Sequence, residues 1–229
     1  MFALRAWSVS LWNYPAALSF SLCPGSKGVM MMELDRTVIP SVRELKYLET
    51  ACRSDSPMVL ISNANISDLE RQVAYVHQSG KQAFAHLGLI GGFAPDAVGI
   101  RLLRNKYRLD GIFTTDCQAF GMARKVGMKV IYRCFLIDSR SLARTNAILR
   151  GKGEKELYAM EVLPAVCALE LFSELKALYP EQRLLAGGFI RDESLIQQLF
   201  QVGFSGVTTS APALWKGVNH DGDVCDGNR

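Results

Sequence analysis

Two short apolar segments late in the chain carry the residues best suited to chemistry. The first, RLLAGGFIRD (183–192), contains the pair Gly187-Gly188. The second, GFSGVTTS (203–210), ends in Thr208-Thr209-Ser210, and one amphipathic helix separates the two. A glycine pair lets an anion approach backbone N–H groups with no Cβ in the way, and hydroxyls with a following helix N-terminus add donors. Gly187, Gly188, Thr209 and Ser210 are therefore expected to hold a phosphate, with Arg191 adding a charge-assisted bond. In a (β/α)₈ barrel the phosphate site commonly lies between the loops after strands 7 and 8, so these segments are expected to be the last two strands.

Other chemically distinct groups fall at the expected carboxyl ends of earlier strands: His86, the pair Thr114-Thr115, Arg133 and Glu161. Glu161 sits between Met160 and Val162 in an otherwise apolar strand, where a carboxylate must find a partner such as Arg133 or face an open site. As site residues, His86, Thr115, Arg133 and Glu161 would form the polyol end of a pocket. As structural residues, His86 would be a hydrogen-bonded core histidine and Glu161 half of an ion pair. Glu161 and His86 also make an arguable acid/base pair, which keeps an isomerase or epimerase in play. No lysine falls at an expected strand end, which disfavours a Schiff-base aldolase.

The elements that must position these residues alternate regularly. Strands are expected at Thr37–Pro40, Met58–Ile61, Gln82–Leu87, Gly111–Thr114, Met128–Phe135, Ala159–Leu163, Leu184–Gly187 and Gly206–Thr209. Helices fall between them. Ser41 reads as the N-cap of the first, VRELKYLETAC, and Asp138 as the cap of the helix 139–149. Strands that are apolar on nearly every residue, such as VIYRCFLI, indicate a sheet covered on both faces and hence parallel βαβ units. The expected fold is a compact single-domain (β/α)₈ barrel over 32–217. An open doubly wound sheet is the alternative, weakened by the lack of a GxGxxG turn after the first strand.

Composition sets wide bounds. The 229 residues carry a net charge of +4, compatible with a phosphorylated ligand or nucleic acid and diagnostic of neither. The six cysteines form no CxxC pair and have no metal-ligand spacing with the three histidines, so neither metal nor cofactor is expected and a reduced, cytoplasmic setting is. Cys134 and Cys167 read as small core hydrophobes. Residues 1–31 lack a signal-peptide pattern and a membrane span; with Met30, Met31 and Met32 just ahead of the first strand, they read as a poorly ordered extension or a misassigned start. The polar, glycine-rich tail 218–229 reads as disordered. Basic clusters fall on two helices, with Arg101, Arg104, Lys106 and Arg108 on and after one and Arg140, Arg144, Arg150 and Lys152 on and after another. They are weak candidates for RNA contact, since solvated helix faces look the same.

Taken together, HLGLIGG (86–92), DGIFTT (110–115), IYRCFLIDS (131–139), MEVLPA (160–165), AGGFIRD (186–192) and SGVTTSAPALW (205–215) resemble the glycerol-uptake operon antiterminator regulatory proteins, collinearly from about residue 34 to 217. The resemblance implies a barrel that senses glycerol 3-phosphate and, when loaded, binds the leader of glycerol-operon messenger RNA to prevent early termination. It implies that Gly187, Gly188, Thr209 and Ser210 hold the phosphate, with Glu161 and His86 near the glycerol. The chain departs from the family pattern at Gly88, Asp116, Ala165 and Ala211, where Asp, Arg, Gly and Asn are usual. The departures cluster at the polyol end, which leaves the ligand as glycerol 3-phosphate or a similar phosphorylated metabolite, and a degenerate sensor that does not bind RNA is a further alternative.

Overall fold

The computed structural model describes residues 34–150 and 157–216; the expectations for 1–31 and 218–229, and Lys152, lie outside them. The strands are β1 (Thr37–Val42), β2 (Met58–Ile61), β3 (Gln82–His86), β4 (Gly111–Thr114), β5 (Lys129–Phe135), β6 (Ala159–Leu163), β7 (Leu184–Gly187) and β8 (Gly206–Thr209). All pair in parallel, and β8 closes on β1 to complete an eight-stranded barrel. The helices are α1 (Leu48–Cys52), α2 (Leu69–Gln78), α3 (Ala97–Asn105), α4 (Cys117–Lys125), α5 (Ser139–Arg150), α6 (Ala165–Glu170), α7 (Phe172–Leu178) and α8 (Glu193–Val202). A two-residue parallel pairing of Ala64–Asn65 with Ile90–Gly91 ties the loops after β2 and β3 together.

The near-continuous apolar character of the strands follows from burial on both faces. Outward side chains such as Val59, Ala83, Ile112, Val130 and Val162 join the layer under the helices. Inward side chains fill the barrel with a separate cluster: Ile39, Leu60, Phe84, Phe113, Ile131, Ala159 and Leu185. At the amino ends of the strands, Tyr158 plugs the opening. The Lys129 ammonium lies 4.4 Å from its ring centroid and donates to Gln82 Oε1 at 3.0 Å, and the Arg183 guanidinium lies 5.5 Å from the same ring.

Because strand side chains alternate, the residue two places beyond each inward core residue faces into the opposite, carboxyl-end mouth. Those residues are Ser41, Ser62, His86, Arg133 and Glu161, with Gly187 beneath them, whereas Thr115, one residue past β4, lies to the side. The barrel thus changes from oil to polar groups in a single layer.

Four of the eight helix starts, those of α3, α4, α5 and α8, are fixed by aspartates. Asp96 accepts from Val98 N and Gly99 N at 2.9 and 2.8 Å, Asp116 from Gln118 N at 2.7 Å, Asp138 from Ser141 N at 2.7 Å and Asp192 from Leu195 N at 3.0 Å. The first helix departs from expectation. The β1 strand runs on to Val42, and Ser41 turns inward to hydrogen-bond Ser62 through hydroxyls 2.6 Å apart instead of capping a helix. Leu45 is exposed in a short 3₁₀ turn, and the α-helix is only Leu48–Cys52. The helix expected over 169–178 is two pieces, α6 and α7, the first starting at Ala165. Cys134 is fully buried, whereas Cys167 is half-buried on α6.

Candidate functional site

The carboxyl-end mouth holds a cavity of about 760 Å³ between the ends of β1, β3, β5, β6, β7 and β8. At its floor lies Glu161, 1% exposed. Arg133 Nε donates to Glu161 Oε2 at 2.6 Å from the neighbouring strand, and Thr208 Oγ1 donates to Oε1 at 2.5 Å from two strands away on the other side. Both carboxylate oxygens are thus engaged by charged or hydroxyl donors, which is what a fully desolvated carboxylate requires.

Gly187 makes this network possible. A Cβ on it would stand 2.4 Å from Thr208 Oγ1 and 2.6 Å from Glu161 Oε1, inside the space that the hydrogen bond uses. Gly188 borders the cavity directly, with φ at +81°, and Phe189 follows at φ +60° with its ring 75% exposed at the rim. Holding a non-glycine residue in the left-handed region costs free energy, so the neighbouring contacts must over-determine this turn.

The second loop divides its hydroxyls. Thr208 faces inward to Glu161. Thr209 lines the cavity edge but bridges Ile190 O and Ala211 N at 3.3 and 3.2 Å, while its carbonyl accepts from Trp215 Nε1 at 2.8 Å. Ser210 is exposed at the mouth. The turn that follows is three residues of 3₁₀ helix starting with Pro212, which has no N–H, and the first turn of α8 is capped by Asp192. The expected donation from a helix N-terminus is therefore replaced by side-chain charge. Three guanidinium-bearing residues, Arg43, Arg133 and Arg191, line the cavity against the one carboxylate of Glu161, a balance that favours a di-anionic ligand.

His86 is 7% exposed and stands edge-on to Phe113, ring centroids 5.3 Å apart. Burial, and secondarily the charge of Arg133, pull its pKa down to about 3, so the ring is neutral near pH 7. Its Nδ1 is buried without a hydrogen-bond partner. Thr115 lies outside the main cavity; it lines an adjoining space with Thr114 and Asp116, and its carbonyl accepts from Tyr132 Oη at 2.9 Å.

The structure thus brings Gly188, Thr209, Ser210, Arg191, His86, Arg133 and Glu161 to one mouth, sets Gly187 beneath it and Thr115 beside it. Arg101 and Arg104 lie apart on α3, and Arg140 and Arg144 on α5. Of these, Arg104 is half-buried and donates to Leu109 O at 3.3 Å. Sequence reasoning missed Arg43, Ser41 and Ser62 as site residues, and it named Thr208 without its part as the partner of Glu161. Arg43 and Ser41 were hidden by treating the segment after Pro40 as a helix, and Ser62 stands one residue past the strand expected at Met58–Ile61. Two-residue alternation from Ile39 and Leu60 carries the signal for Ser41 and Ser62. Among the described residues no group of three or more His, Cys, Asp or Glu side chains is placed to hold a metal ion.

Comparison with known proteins identifies the family. In Escherichia coli K12 the protein YgcP is 26% identical over 178 residues, spanning 78% of this chain and 91% of YgcP. A crystal structure of the glycerol uptake operon antiterminator regulatory protein of Listeria monocytogenes superposes with a TM-score of 0.71 at 26% identity, covering 78% of this chain and 94% of that one. A glycerol uptake operon antiterminator-related protein of Thermotoga maritima shares the fold at 20% identity and a TM-score of 0.68, covering 78% and 97%. The family profile described as glycerol-3-phosphate responsive antiterminator matches residues 38–215, and the chain belongs to that family.

Proposed function

We propose that this barrel is a ligand-responsive RNA-binding transcription antiterminator. The cavity takes glycerol 3-phosphate or a similar phosphorylated metabolite, and the loaded protein binds the leader of a messenger RNA for glycerol uptake or metabolism. The observation that carries the reading is the mouth itself, where Arg43, Arg133 and Arg191 surround a glycine turn and a hydroxyl-rich loop. In this reading Gly188, Thr209, Ser210 and Arg191 meet the phosphate, with Gly187 shaping the turn, while His86, Arg133 and Glu161 face the organic part and Thr115 lies beyond them. The exposed Arg101, Arg140 and Arg144 supply RNA phosphate contacts, with Arg104 bracing the end of α3.

A regulator fits the site better than an isomerase or epimerase. A general base works best with a pKa near the operating pH, whereas the His86 ring is held near 3 and both Glu161 oxygens are occupied. No lysine lines the cavity among the described residues. The working place of such a protein is the cytoplasm, and no helix among the described residues is long and apolar enough to cross a membrane.

Coupling would follow from linkage. If the ligand favours the RNA-competent state, RNA tightens ligand binding by the same factor. Electrophoretic shift assays with the leader RNA, with and without glycerol 3-phosphate, test the reading. Ligand-dependent retardation is expected, and RNA affinity unchanged by ligand at low salt would overturn it.

A further inference from the structure

The cavity has a side chamber that the phosphate end does not explain. A space of about 240 Å³ opens on the far side of His86 and Arg133, and these two residues, with Leu89, line both spaces. Its walls are largely apolar, from Leu87, Pro95, Phe113 and Phe135, with Thr115 and Asp116 at one polar edge. The partition is itself suited to an apolar guest. His86 presents a neutral ring, and Arg133 is fixed by Glu161 with its guanidinium 5.0 Å from the Phe135 ring centroid.

A three-carbon polyol has no apolar face to match these walls, and its hydroxyls would lose water there with little return. Room is not limiting. Gly88 lines the chamber, and a Cβ built on it meets no atom within 4 Å.

We propose that the ligand of this chain is a phosphate monoester whose organic part is longer than glycerol and ends in an apolar, ring-sized group seated in the chamber beyond His86 and Arg133. This rests on the reading that the β7–β8 end of the cavity holds a phosphate. It adds a second subsite, recognised by shape and apolar contact, with Thr115 and Asp116 available to a hydrogen-bond donor on the ring.

Isothermal titration of the full chain with inorganic phosphate, glycerol 3-phosphate and 3-phenylpropyl phosphate tests it. The phenylpropyl ester is expected to bind at least about tenfold tighter than glycerol 3-phosphate, the factor that burying a ring typically yields. Gly88→Leu, which adds a branched side chain at the chamber's exposed edge, is expected to bring the two esters to equal affinity. Its melting temperature without ligand and its circular dichroism verify folding, and the comparison on the unaltered chain stands even if the variant does not fold. Equal affinities on the unaltered chain, or an advantage that survives in a folded Gly88→Leu protein, would overturn the proposal. If none of the three probes binds, the phosphate reading fails first and the side-chamber proposal falls with it.

Discussion

Glu161 is the residue on which the mouth turns. Its carboxylate is 1% exposed and held by two side chains from two strands, so its removal leaves Arg133, whose side chain is only 20% exposed, without its counter-charge. Breaking such a pair on one side typically costs roughly 3–5 kcal/mol, and the partial exposure of Arg133 places this case near the lower end. Glu161→Ala is therefore expected to lose about 3 kcal/mol in denaturant titration, and Glu161→Gln, which keeps the shape and one acceptor, distinctly less. His86 makes a separate prediction. Its pKa is about 3 when folded against an ordinary value of 6.5, so between those values the unfolded chain takes up a proton that the native protein refuses. Stability then rises with pH across that window and is lost as pH falls below 6.5, with a slope of up to about 1.4 kcal/mol per pH unit. Denaturant midpoints compared at pH 7 and pH 5 are expected to fall for the native sequence and to fall less for His86→Gln.

At the scale of elements, four of the eight helices, α3, α4, α5 and α8, have aspartate-capped starts, and a few helical positions are weak points. Gly121, inside α4, is one of them. A Cβ there meets nothing within 4 Å, and glycine costs helical order that alanine does not. Gly121→Ala is expected to raise stability by about 1 kcal/mol, seen as a higher melting temperature with ligand binding unchanged. The same scale shows what could be read in advance. The strands β2, β4, β6, β7 and β8 fall where the sequence places them; β2, β4, β6 and β7 are short, mostly apolar runs with proline, glycine or a charged residue at one end or both, and β8 is marked by its glycine and paired threonines. The region after Pro40 resisted, since Val42, Leu45 and Leu48 have helical spacing while Val42 is in a strand and Leu45 is exposed. Arg43 was lost to the site for that reason. Thr208 and Thr209 are chemically identical neighbours, and only the pleat, counted from Gly206, separates the one that binds Glu161 from the one that ties the loop. The phosphate loops were legible as residue types. Two of the mouth arginines, Arg133 and Arg191, were legible as well, and Arg43 alone of the three was not.

For the whole molecule, sensing requires that ligand binding stabilise one state of the barrel over others. A ligand at a hundred times its Kd stabilises the native state by about 2.7 kcal/mol, which for a domain of this size raises the melting temperature by roughly 5–10 °C. Phosphate esters are expected to show that shift in thermal melts, and Arg191→Ser, which removes one cation from the mouth, to reduce it. RNA binding makes a demand of a different kind. Contacts to phosphates release counterions, so the slope of log affinity against log salt counts them, at roughly 0.7 per contact on single strands. If Arg140 and Arg144 on α5 each meet one phosphate, the double variant Arg140→Ser/Arg144→Ser is expected to bind leader RNA more weakly and with a slope shallower by about 1.4. Because both side chains lie on an outer helix away from the cavity, the same variant is expected to keep its ligand-induced melting shift. A reduced slope with the shift retained would separate the RNA face from the sensor. An unchanged slope would move the RNA to another face of the barrel.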